Sequence, residues 1–160
     1  MFRSLKTALI LIALLAYAGP AAADKCGLLC DVAFWVSASQ QKIDTAIANA
    51  ADIKARDDKG RTPLHWAAGS GQKKAITTLL DAGAKIEARD KGGMTPLHLA
   101  ALEGKTETIT ALLDAGAEIE ARNKYGWTPL HWAAILGETE AIITLLDAGA
   151  DSEARVGKGA

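Results

Sequence analysis

The sequence predicts an all-α repeat solenoid, built of stacked helix-turn-helix units with β-hairpin fingers between them. Three observations predict it. The strings at 62–68 (TPLHWAA), 95–101 (TPLHLAA) and 128–134 (TPLHWAA) are spaced by 33 residues both times. A second string, LLDAGA, begins at Leu79, Leu112 and Leu145 in the same phase. Glycines keep the period as well, at Gly60, Gly93 and Gly126 and again at Gly71, Gly104 and Gly137. Self-similarity at a fixed period of this length marks repeat architectures, in which each unit buries its apolar face only against its neighbours.

In chain order, residues 1–23 differ in kind from the rest of the chain. Arg3 and Lys6 give a positive start, Ala8 to Ala18 is an uncharged apolar run, and Pro20 precedes Ala21, Ala22 and Ala23. That is the pattern of a secretory signal cut before Asp24. The apolar run is short for a hydrocarbon core of about 30 Å, which argues against a retained anchor. Residues 24–33 carry a cysteine pair, Cys26 and Cys30. Residues 34–56 align one period upstream of the first full unit but lack the TPLH string. There Ile43, Ala46 and Ile47 fall on helix-two positions and Ile53, Ala55 and Arg56 on finger positions. The segment is expected to be a degenerate N-terminal capping repeat, with Ser39, Gln40, Gln41 and Lys42 facing water. Three repeats come next, at 57–89, 90–122 and 123–155, with 156–160 as a tail.

Within each repeat the residue order dictates the elements. Pro63, Pro96 and Pro129 suit the first position of a helix, and Thr62, Thr95 and Thr128 before them are natural N-caps. Leu64, Ala67 and Ala68, with their counterparts, make a small-residue face that lets neighbouring helices approach closely, and Gly71, Gly104 and Gly137 end that helix. In the second helix Ile76, Leu79 and Leu80 stand at i, i+3 and i+4, as do Ile109, Leu112, Leu113 and Ile142, Leu145, Leu146. Gly83, Gly116 and Gly149 then supply left-handed stops. An extended stretch and a turn, Lys85 to Gly93 in the first case, lead to the next helix pair. Glu87, Glu120 and Glu153 each precede Arg89, Arg122 and Arg155 by two places, which suggests ladders of alternating charge that serve mainly solubility. The five residues after Arg155 cannot build another pair over the third repeat. Its far side is expected to be open, with Ile143 where Thr77 and Thr110 stand in the other repeats.

Period, order and wording resemble the ankyrin repeat, with three near-consensus copies over about Arg56 to Arg155. The resemblance implies a structural hydrogen-bonding role for His65, His98 and His131, between Thr62, Thr95 and Thr128 and the adjoining loop. It also implies binding through the finger tips and the concave side of the first helices, and a solvent-facing position at Ile143.

Composition and motifs point away from chemistry. Without Arg3 and Lys6 the chain has 16 basic against 19 acidic residues, a net charge of -3, which leaves no footprint for duplex nucleic acid or anionic lipid. The three histidines occupy one slot of successive repeats and so stand about 10 Å apart, too far to share a zinc that needs ligands at about 2 Å. No metal, cofactor or catalytic group is expected. No Gly-rich phosphate loop or Gly-x-Ser-x-Gly turn is present. In an oxidising compartment Cys26 and Cys30 favour a local disulfide, with intermolecular pairing as the alternative. Their spacing is not that of a thioredoxin-like site.

The resemblance therefore implies a non-catalytic module that binds an unidentified protein in an exported compartment, the bacterial periplasm or the extracellular space. Carried onto matching positions, its surface in the second repeat includes Arg89 and Met94. In the third it includes Arg122, Lys124, Tyr125, Trp127, Ile135 and Leu136, a composition that resembles interface hot spots. The alternative for Tyr125 and Trp127 is that they cover each other and the finger's stem. Trp66 and Trp132, with Leu99 in the same slot, are expected to pack. The competing function is self-assembly, a homodimer through the uncapped C-terminal repeat.

Overall fold

The computed structural model describes residues 27–49 and 53–157. The expected signal at 1–23 and Cys26 lie outside them. A short 3-10 turn at Gly27–Cys30 leads into α1 (Val32–Ser37) and α2 (Gln40–Asn49). Three helix pairs come after it: α3 (Pro63–Gly69) with α4 (Lys73–Asp81), α5 (Pro96–Leu102) with α6 (Thr106–Asp114), and α7 (Pro129–Leu136) with α8 (Thr139–Asp147). Among the described residues no helix is long and apolar enough to cross a membrane.

The pairs stack in two rows. Helices α3, α5 and α7 pack on one another in the first row, and α2, α4, α6 and α8 in the second. Each first-row helix starts where threonine adopts an extended conformation, φ near -95° and ψ near 167° at Thr62, ahead of proline at the first turn. A residue before proline is driven out of the helical region, so the Thr-Pro pair fixes the boundary sterically. Ala67, Ala68, Ala100, Ala101 and Ala133 are fully buried between the first-row helices, and Ile76, Leu79, Ile109, Leu112 and Leu145 fill the space behind them. Gly83, Gly116 and Gly149 stop the second-row helices at φ of 91°, 91° and 96°, where a Cβ would be strained.

The N-terminal end is closed by α1 and α2. Ile43 and Ile47 are buried, Ala46 is half-buried, and Ser39, Gln41 and Lys42 are exposed. Trp35 is the plug. It is fully buried, its Nε1 donates to the Leu29 carbonyl at 2.8 Å, and its own carbonyl accepts from Gln72 Nε2 at 3.0 Å. Phe34 meets its ring edge-on at 5.6 Å. Buried Cys30 is not a free thiol.

No strand occurs among the described residues, and the fingers are tight turns. In the first, the Asp57 N–H donates to Arg61 O and the Gly60 N–H to Asp57 O, while Asp57 Oδ1 accepts from the Lys59 and Arg61 amides. Asp90 and Asn123 repeat that arrangement. Neighbouring fingers share one backbone bond, Lys91 N–H to Lys59 O and Lys124 N–H to Gly92 O. A single bond per junction is too little to make a ladder.

The charged side chains of the fingers serve the backbone. Arg56 Nη1 donates to Gly60 O and Arg89 O, Arg89 Nη1 to Gly93 O and Arg122 O, and Arg122 Nη1 to Gly126 O and Arg155 O. Glu87 Oε1 accepts from the Glu118 amide and Glu120 Oε1 from the Asp151 amide. The Glu-Arg spacing thus reflects two separate cross-repeat bonds, because each side chain reaches a main-chain group of the next repeat.

Thr108 is fully buried in α6 with its hydroxyl unpartnered, in the slot that holds Ala75 and Ala141. An unsatisfied buried hydroxyl costs about 1–3 kcal/mol. Thr108→Ala is expected to raise stability by about 1 kcal/mol, measured as an increased urea midpoint with unchanged slope.

Candidate interaction surface

The histidines sit at the third helical position, where their rings point back to the capping threonine. Thr62 N–H donates to His65 Nδ1 at 3.1 Å, and Thr62 Oγ1 lies 2.9 Å from the same nitrogen. The opposite nitrogen, Nε2, stands 3.0 Å from the Met94 carbonyl. A carbonyl only accepts, so Nε2 carries the proton and the ring is neutral. His98 makes the same bridge from Thr95 to the Trp127 carbonyl at 3.0 Å. Burial pushes His98 down to about 4, and burial likewise lowers His65. In the third repeat Thr128 N–H donates to His131 Nδ1 at 3.2 Å, and the ring stacks on Trp127 at 6.5 Å. Among the described residues no group of three His, Cys, Asp or Glu could hold a metal ion.

In the first and third repeats the residue five places before the first-row helix's central side chain forms a second periodic contact. Arg61 lies over the Trp66 ring at 3.9 Å, and Trp127 lies 4.9 Å from Trp132. Arg61, Met94 and Trp127 share one slot, and Trp66, Leu99 and Trp132 the other. The indole Nε1 atoms of Trp66 and Trp132 have no partner. Sequence reasoning missed this pairing, although the common 33-residue register of both slots is the signal that could have found it.

That slot corrects one expectation. Met94 is 8% exposed and is not a surface residue, because the base of its finger is covered by the next one: Asn123 Nδ2 donates to its sulfur at 3.4 Å. Trp127 is half-buried against Trp132, so it packs locally, and its partner is not Tyr125. Arg89 and Arg122 are exposed but held by the carbonyls described above. Lys124 is exposed, Tyr125 is 69% exposed at the tip of the third finger, Ile135 is 56% exposed on α7, and Leu136 is half-buried. The third repeat thus carries a basic tip and an exposed phenol on its finger and an exposed aliphatic on α7. The slot of Tyr125 holds Lys59 and Gly92 in the other repeats, and that of Ile135 holds Gly69 and Leu102.

Comparison with known families gives one finding. A family model described as "Ankyrin repeats (3 copies)" matches residues 10–90, 32–123 and 87–156. No curated protein matches the chain.

The neutral histidines make stability depend on pH. The folded value of His98 lies below its ordinary 6.5, so the unfolded chain binds more protons between the two. Stability is therefore complete above about pH 6.5 and is lost as pH falls toward 4, by roughly 3 kcal/mol for this group. His65 acts in the same direction, whereas Glu103, raised by burial, acts in the opposite one. Urea unfolding at about pH 7 and pH 4.5 is expected to show the loss, and His98→Gln is expected to flatten the difference between the two pH values.

Proposed function

The chain belongs to the ankyrin-repeat family, whose members are generally non-catalytic protein–protein interaction modules; on that premise we propose that it binds a partner protein through its third repeat. One observation carries this reading: Tyr125 and Ile135 are both exposed on the third repeat, and at the finger tip the other two repeats place the polar Lys59 and the small Gly92 where it has Tyr125. Exposed large apolar side chains beside a cation have the composition of interface anchors. Lys124 and Arg122 border them, and Trp127 supplies a rigid base packed on Trp132. The pattern at 1–23 would deliver the chain to the bacterial periplasm, an oxidising compartment that favours a disulfide between Cys26 and Cys30.

A second reading, a homodimer through the third repeat's far side, is favoured by Ile143 and Leu146, which are 52% and 39% exposed there. Sedimentation of the purified protein at micromolar concentration is expected to give a monomer if the first reading holds, and a dimer if the second does.

A photo-crosslinker placed at Tyr125 or Ile135 is expected to capture one protein in the source cell. In a separate pull-down of that protein, without the crosslinker, the double variant Tyr125→Ser, Ile135→Ser should reduce recovery by at least about tenfold, since anchors of this kind contribute about 2 kcal/mol each. Its circular dichroism melt should be unchanged. Undiminished recovery would overturn the third-repeat assignment.

A further inference from the structure

The charge of the solenoid is sorted by row. The finger segments 56–61, 89–94 and 122–127 hold seven basic and three acidic residues, whereas the second helices with their adjoining loops, 72–88, 105–121 and 138–154, hold four basic and eleven acidic ones. Two of the three finger acids are also turned inward, and only Asp58, on the first finger, is exposed. Asp57 is 7% exposed and is spent on the Arg61 guanidinium and two backbone amides, and Asp90 accepts from the Gly92 and Met94 amides. In the third finger the corresponding residue is the neutral Asn123.

The cations face the other way. Arg56, Arg89 and Arg122 are exposed, and each is fixed through Nη1 to two carbonyls, neutral groups that leave the charge uncompensated and the Nε and Nη2 donors outside those bonds. Lys91 and Lys124 are exposed at the tips, on backbone locked by the finger-to-finger bonds. A guanidinium already held in place loses little entropy when it meets a carboxylate. Successive fingers, set by helix stacking at about 10 Å, match about three residues of an extended chain.

We propose that the partner presents an extended acidic peptide segment to this finger edge, with an apolar residue seated at Tyr125. The proposal rests on the protein-binding reading above. A peptide fits better than a larger polyanion because the acidic second-helix row repels a duplex or a charged bilayer that extends beyond the fingers. The apolar anchor lies at the third finger, which carries no acid, so both recognition elements coincide.

The probe is a fluorescent peptide of about twelve residues, glutamates with one phenylalanine, measured by anisotropy on the purified protein against its glutamine counterpart. At about 50 mM salt the glutamate peptide is expected to bind at least about tenfold tighter, with the preference shrinking at about 500 mM as screening shortens the reach of each charge. Lys91→Glu with Lys124→Glu should abolish the preference while the circular dichroism melt is retained. Equal binding of the two peptides, no binding of either, or tighter binding to vesicles of phosphatidylglycerol and phosphatidylcholine or to a short DNA duplex would overturn the proposal. A partner crosslinked at Tyr125 whose recovery ignores Lys91→Glu and Lys124→Glu would also overturn it, while leaving the third-repeat assignment standing.

Discussion

Two neighbouring repeats meet where a histidine at the third position of one helix reaches the carbonyl that ends the next finger. His65 binds Met94 O and His98 binds Trp127 O, each while holding its own capping threonine. One neutral ring thereby defines a helix start and a repeat-to-repeat distance at once. The close approach of the alanine faces depends on that distance, since Ala67, Ala100 and Ala133 have no side chain long enough to bridge a wider gap. Apolar burial supplies most of the stabilisation, but the rings set the register in which it is collected.

The sequence was most informative where sterics alone decide. Thr-Pro pairs can adopt few conformations, and the glycines at 83, 116 and 149 alone tolerate the left-handed stop, so the helix boundaries were legible in the sequence. It was least informative where a side chain has two possible customers. Arg89 stands two residues from Glu87, and spacing cannot say that a carbonyl one period away will claim the guanidinium first. Met94 escapes sequence reasoning for a related reason: its exposure is decided by Asn123 of the next finger, 29 residues on. Trp35 carried no periodic signal because it occurs once, in the closing segment, and its role as a plug emerges only from its bonds to Leu29 and Gln72.

In the third repeat, core and surface compete for the same aromatic residues. Trp127 occupies a slot that elsewhere holds an arginine or a methionine, and it settles against Trp132. Tyr125 has no ring contact of this kind and stays outside, so the two residues that look alike in sequence divide between scaffolding and display. The division leaves the display on a rigid base, which suits recognition with little reorganisation.

The glycine at each finger tip has a consequence for inheritance of defects. Gly60 stands against Lys91, Gly93 against the Lys124 amide, and Gly126 against Gly157, so a side chain added at one of these positions would collide with the segment one period on. Harm would therefore surface one unit away from the altered codon, and a lesion's address in the gene would differ from its address in the molecule by one period.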